Sequence, residues 1–254
     1  MSLETAFEIG QAGLQIKRIA DILSASQKDI FVRLPGLLAY FPMGIRRENG
    51  IVGDHTGSGL ILSQTGVCPT GYDGNSFLHL GDGVNYLQSS YVAFGLTGLE
   101  TWITSSMRGL TIGGWFMIDS TPSLNSGLVS KDGIVTNRGY ALWYTPGGAG
   151  GFSVSSNGSA WFSVNSGSIP TGQWRFIVGR FTPSTELAIF ADGDKSVNTT
   201  AIPSSNNVPT QTFEIGRYFN DDNRIIHGKA RDVFVCAAAL SDALIEEIRV
   251  TSTP

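Results

Sequence analysis

The sequence predicts an all-β fold: a two-sheet antiparallel jelly-roll sandwich, preceded by an α-helical segment and closed by one short C-terminal helix. Three observations predict it. Charged residues make up 15% of the 254 positions and glycine fills 32 of them, against about 25% and 7% in ordinary soluble domains. Ser, Thr and Asn take the place of charge, a composition of short strands joined by tight turns. From Gly36 onward apolar residues recur with period two, interrupted by turn signals about every 8–12 residues. No helical pattern falls between those runs, which excludes a parallel βαβ sheet and favours stacked antiparallel sheets.

Residues 1–34 carry the only sustained helical spacing. Ile9, Ile16, Leu23 and Ile30 stand seven apart, and Ala12, Ile19 and Ser26 form a second row. A repeat of seven keeps one seam facing a partner helix, so residues 1–34 read as an assembly or anchoring segment for a dimer or trimer. The alternative is an amphipathic helix lying on its own sandwich, and Gly10 and Gly13 weaken the helix at about 1 kcal/mol each relative to Ala. Pro35 and Gly36 stop it. Residues 35–254 form the sandwich domain.

The strand runs follow in order: 37–42, 59–64, 76–80, 85–94, 110–118, 127–131, 139–145, 151–156, 161–164, 173–181, 186–192, 212–219 and 227–240. ADGD at 191–194 and SNG at 156–158 read as hairpin turns. In 139–145, alternation sends Tyr140, Leu142 and Tyr144 to one face and Ala141, Trp143 and Thr145 to the other; in 161–164 it groups Trp161 with Ser163. Most of Trp102, Trp115, Trp143, Trp161 and Trp174 are expected between the sheets. SDALIEEIRV (241–250) closes the chain as a helix, with Ser241 as its cap and Leu244, Ile245 and Ile248 on one face.

Read in order, these landmarks resemble the laminin-G-like branch of the concanavalin A-like lectin and glucanase sandwich. GLLAYFPMG, VGDHTGSGLILSQTG and NSFLHLGDGVNYLQ are similar to its opening strands. LTIGGWFMI, GLVSKDG, GYALWY, IPTGQWRFIVGRF and LAIFADGD follow its middle, and FEIGRYFNDDNRIIHGKARDVFVCAAALSDALIEEI is similar to its finish. The resemblance spans about residues 36–250. It implies a calcium ion on a rim loop, held by Asp132 with Asn220 and Asp222 and neighbouring Asp221, since Ca²⁺ takes about 6–8 oxygen ligands. It departs from the family where relatives carry two Asp and this chain has Arg231 then Asp232, a cation in place of an oxygen ligand. FNDDN also reads as an ordinary solvated hairpin tip.

Fold alone leaves function open, because this sandwich carries lectins, glycosidases and structural modules. A retaining glycosidase needs carboxylates about 5–5.5 Å apart, which on one strand face means acidic residues at i and i+4. No such run exists: Glu186 stands alone, Glu214 has no acidic partner at 210 or 218, and Glu246 and Glu247 fall on the closing helix. His55, His79 and His227 are scattered, and no Gly-x-Ser-x-Gly elbow occurs. The chain is therefore expected not to be an enzyme, with an atypical glycoside hydrolase as the third alternative. A net charge of −4 excludes a phosphate-tracking surface, so nucleic acid is not expected as a partner. No signal-like run and no stretch of membrane-spanning length is present. Cys68 and Cys236, in no metal or redox spacing, are expected to stay reduced.

The resulting expectation is a non-catalytic structural or binding protein. The first reading is a bacteriophage virion component, a capsid decoration or tail attachment protein, that oligomerises through Ile9, Ile16, Ile19, Leu23 and Ile30 and meets a capsid or tail protein. Avidity between copies would make weak single contacts sufficient. The alternative is a carbohydrate-binding or calcium-dependent adhesion module presenting Trp143, Trp161 or Tyr144 to a glycan. No cofactor other than calcium is expected.

Overall fold

A computed structural model describes residues 30–31, 33–41, 46–47, 51–53, 61–65, 78–80, 86–89, 109–133, 136–207, 209–218 and 221–253, with the strands between 46 and 89 described by their backbone. Eighteen strands and a closing helix occur among these residues. In chain order the strands are β1 (Leu37–Phe41), β2 (Arg46–Arg47), β3 (Ile51–Gly53), β4 (Ile61–Thr65), β5 (Leu78–Leu80), β6 (Tyr86–Ser89), β7 (Leu110–Ile118), β8 (Ser126–Lys131) and β9 (Tyr140–Tyr144). They continue as β10 (Ala149–Val154), β11 (Phe162–Ser168), β12 (Trp174–Thr182), β13 (Glu186–Ala191), β14 (Asp194–Asn198), β15 (Phe213–Ile215), β16 (Arg217–Tyr218), β17 (Asp221–Ile225) and β18 (Gly228–Cys236). The helix, α1, is Asp242–Thr251.

Two sheets stack as the alternation requires. The first has the order β1-β18-β7-β12-β13-β14, with β5 also on β18; the second runs β11-β10-β9-β8-β15-β6-β4-β3-β2. Between them lies a core of Phe41, Ile112, Phe116, Leu142, Tyr144, Phe152, Phe181 and Ile189 with their neighbours. Tyr140, Leu142 and Tyr144 face it while Ala141 and Trp143 face away, as period two predicts.

The described tryptophans do not fill that core. Among the described residues Trp115 packs outside the first sheet beneath α1, with Trp174 at the edge of the same layer, and Trp143 lies outside the second sheet. The inter-sheet gap is filled by Phe, Leu, Ile and Val, whose smaller volumes interdigitate across it.

A third layer covers the first sheet. Ser241 Oγ accepts the Leu244 amide at the start of α1, and Ile245 and Ile248 drop onto Phe176, Phe190 and Trp115. Trp115 Nε1 donates to Ser252 Oγ at 2.8 Å, fixing the far end. Ile30, Phe31 and Leu34 join the same layer, with Phe31 stacked on Tyr40 at 4.0 Å between ring centroids. Ile30, read as part of an exposed heptad seam, is instead buried on its own sandwich, because the residues around it continue the apolar face over β1 and β18. Ile9, Ile16, Ile19 and Leu23 lie outside the described residues. No helix among the described residues is long and apolar enough to cross a membrane. Cys236 is a buried free thiol, and burial pushes its pKa up.

The run 212–219 is two strands rather than one. Gly216 takes φ +92° between β15 and β16, a left-handed conformation that glycine adopts without steric cost. The segment read as a hairpin tip, FNDDN, joins β16 to β17, which pair antiparallel with Tyr218 opposite Asp221, and β17 also meets β8 at Gly127.

Candidate functional site

The outer face of the second sheet differs from that of the first. No helix lies on it among the described residues, and its strands present small and polar side chains. After Gly216 the chain crosses over β8, so close that a Cβ on Gly127 would overlap the Arg217 carbonyl. Ser130 Oγ donates to that carbonyl at 2.8 Å. The crossing sets Tyr218 parallel to Trp143, centroids 6.4 Å apart and planes at 11°, and Arg224 stands 5.9 Å over Tyr218. Trp143 lies in turn across Gly151 of β10 and donates from Nε1 to Ser153 Oγ at 3.1 Å. Arg224, Tyr218, Trp143 and β10 thus form one continuous stack.

This geometry corrects two of the three aromatic candidates. Trp143 is 8% exposed and closed under Tyr218. Tyr144 is 1% exposed, in the inter-sheet core, donating to the Ile169 carbonyl at 2.7 Å. Neither offers a free ring face to a ligand. Trp161 is different: it is half-buried at the start of the outermost strand, with the Arg138 guanidinium 5.4 Å from its ring centroid. Arg138 is itself half-buried, donates from Nη1 to the Ser159 carbonyl at 2.7 Å and has no carboxylate ion pair among the described residues. Arg138 is the residue that sequence reasoning missed. Its signal was available only in the spacing that brings the 132–139 loop against the SNG turn, where Arg138 N donates to Gly158 O.

Beside this pair the loops hold buried polar atoms without hydrogen-bond partners among the described residues: Asp132 Oδ2, Arg138 Nε, Ser155 Oγ and Asn206 Oδ1. They are linked through the backbone. Gly139 N donates to Asp132 Oδ1, Ser155 N to Gly139 O, and Asn207 N to Ser155 O. Buried polar atoms normally find partners in protein or in ordered water. Burial pushes the Asp132 carboxyl up to about 8, against the pull of the Gly139 and Gly133 amides and Arg138. At neutral pH it is therefore mostly protonated. Three oxygens fall short of the six to eight that calcium takes, and no group of three His, Cys, Asp or Glu gathers among the described residues. Asn220 and the Asp222 side chain lie outside the described residues; Asp221 holds Asn223 and Arg224.

The carboxylates near the outer face of the second sheet and below α1 are sealed or paired, whereas Asp119, Asp194 and Glu247 are exposed and stand apart from one another. Glu214 is 1% exposed and bound by Arg217 and Thr212. Glu186 meets Arg180 and Lys195 below α1. Asp132, near Glu214 on the same side of the sheet, is 2% exposed. A general acid must reach the glycosidic oxygen, and neither Asp132 nor Glu214 opens to solvent.

The two stacked antiparallel sheets define the class of lectin-like sandwich. The chain belongs to the concanavalin A-like lectin/glucanases superfamily, whose family model matches residues 88–246. No curated protein matches it. Among solved structures it is similar to the binding domain of botulinum neurotoxin DC in complex with SialylT, at 12% identity and TM-score 0.65, covering 88% of this chain and 53% of that one. The same binding domain in complex with rat synaptotagmin II gives 12% identity and TM-score 0.64, over 86% of this chain and 52% of that one. A botulinum neurotoxin type C structure, whose cell entry is described as dependent on two ganglioside molecules, gives 15% identity and TM-score 0.62, over 84% and 51%. At these identities the likeness is one of fold, and the chain spans about half the length of each. Two of these neighbours, those in complex with SialylT and with rat synaptotagmin II, are described as binding domains.

Proposed function

We propose that this chain is a non-catalytic binding protein that takes a glycan against Trp161 and Arg138 on the outer face of the second sheet. The half-buried Trp161 under a guanidinium that has no carboxylate ion pair among the described residues carries the reading. An aromatic face stacks on the apolar face of a pyranose ring, and Arg donates in a planar fork to ring hydroxyls or an acidic substituent. The similar structures support a glycan as ligand: one is a binding domain in complex with SialylT, and the botulinum neurotoxin type C depends for cell entry on gangliosides. Copies gathered through residues 1–34 would raise a weak single-site affinity by avidity. The low charge and the heptad segment support placing the protein on a particle surface, as a phage capsid decoration or tail attachment component.

The test is a glycan array probed with the full chain, with Trp161→Ala and with Arg138→Gln. Expected is a discrete set of bound glycans, all lost in Trp161→Ala and those with acidic groups weakened about tenfold in Arg138→Gln. An array that stays silent for the full chain overturns the reading.

A further inference from the structure

We infer that the site is not confined to Trp161 but runs along β11, where an unbranched, uncharged segment of oligosaccharide lies on Ser163, Asn165 and Gly167. The inference deepens the glycan reading and rests on it. β11 is the outermost strand of its sheet. Val164 points into the core, whereas Ser163, Asn165 and Gly167 are all exposed. Alternation continues that outward row back to Trp161. From 161 to 167 the row extends about 20 Å at the usual strand rise, longer than a single sugar.

The chemistry of the row suits hydroxyl-rich, neutral chain. Residues 161–168, WFSVNSGS, contain no charge. Ser163 Oγ shares a hydrogen bond with Ser153 Oγ at 2.8 Å, which holds the hydroxyl in place. Asn165 offers an amide donor and acceptor, the pairing that vicinal hydroxyls use. Nothing lies within 4 Å of a Cβ built on Gly167, so the backbone there is open to a ligand. On the inner side Trp143 covers β10 at Gly151, the cross-strand partner of Asn165, and so bounds the row.

A protein strand adding to this edge is the competing occupant, and the edge is already partly closed to it. Asn198 Nδ2 donates to the Ser163 carbonyl at 2.9 Å, taking an acceptor that an added strand would need.

The experiment is titration calorimetry of the full chain with unbranched cello-, chito-, malto- and xylo-oligosaccharides, each from the disaccharide to the hexasaccharide. In at least one series the affinity is expected to rise about tenfold with length and then level off, each added polar contact contributing a few-fold. Gly167→Val and Asn165→Ala are expected to bring the ratio of hexasaccharide to disaccharide affinity close to one, while Trp161→Ala lowers both affinities together. Gly167 has no left-handed backbone and its Cβ would meet open space, so Gly167→Val should keep the wild-type melting temperature; that measurement, made alongside, separates a blocked site from a misfolded one. Affinity that is independent of length, or a ratio untouched in Gly167→Val, overturns the extended site and leaves the Trp161 reading standing. Absence of binding in every series, with glycans still bound on the array, also overturns it; absence on both overturns the two together.

Discussion

The indole of Trp143 lies across Gly151, its cross-strand partner on β10, with no room for a Cβ between them. Glycine is required at 151 by that close approach and not by its backbone conformation. Gly151→Ala should lift the ring off β10, break the Nε1 bond to Ser153 and loosen Tyr218 above it. Overpacking of this kind costs about 1–3 kcal/mol. Denaturant unfolding should show the loss in the midpoint, with a red shift in tryptophan emission as ring 143 meets water. An unchanged midpoint would mean the stack repacks freely.

Arg180 joins α1 to the first sheet. Its side chain, 6% exposed, donates to the Leu240 carbonyl at 2.7 Å and pairs with Asp242 at the helix start and with Glu186 on β13. Arg180→Ala leaves the Leu240 carbonyl without its Arg donor, leaves the Glu186 carboxylate to Lys195 alone and takes one cation from the ring of Phe190. Removing one partner of a buried pair costs about 3–5 kcal/mol; Asp242 is half in solvent, so the lower end is expected. Hydrogen exchange should locate the loss in α1 first. Uniform protection across α1 and β7 would refute this role.

Asp132 makes stability depend on pH with a defined sign. Its folded pKa of about 8 lies above the ordinary carboxyl value, so between about pH 4 and 8 the folded state holds a proton that the unfolded chain has released. Stability should therefore fall as pH rises through that window, by at most about 1.4 kcal/mol per unit, and level off above it. Asp132→Asn keeps an oxygen for the Gly139 amide and removes the titration. The variant should melt higher than wild type at pH 7 and no higher at pH 4. Equal melting curves at both values would show that Asp132 ionises freely when folded.

The sandwich was legible in the sequence because period two and turn chemistry act locally. LTIGGWFMI is β7 without a residue's error, and the alternation in YALWY put Tyr144 and Trp143 on opposite faces correctly. Which face is covered depends on contacts distant in sequence. Trp143 looked free to meet a ligand because Tyr218, 75 positions later, closes over it only after the Gly216 kink. Trp115 looked like inter-sheet core because the pattern of β7 is apolar on both faces, and a strand buried on both sides gives no sign of whether a sheet or a helix covers each. Arg138 was invisible for the same reason: in NRG it reads as a loop cation, and only the approach of the 156–161 turn sets it on Trp161.

The heptad row 9-16-23-30 makes two demands that Ile30 does not satisfy together. In a coiled coil its side chain faces a second helix, whereas here it is 6% exposed on the layer that includes Phe31, Tyr40 and Phe234. The seam, if it assembles the protein, must therefore end before Ile30, leaving the last positions to anchor the segment on the sandwich. Self-association and anchoring then separate by residue. Ile16→Asp combined with Leu23→Asp should reduce the mass measured by light scattering to that of one chain and leave the unfolding midpoint of the sandwich unchanged. Ile30→Ala should leave the mass unchanged and lower the unfolding free energy by about 2 kcal/mol or more, the usual cost of emptying a buried isoleucine site, with the midpoint falling accordingly. If Ile16→Asp with Leu23→Asp leaves the mass of the full chain as it was, the seven-residue repeat does not drive assembly. If Ile30→Ala alone dissociates the protein, the seam reaches Ile30 and the packing on Phe31 and Tyr40 belongs to the dissociated chain.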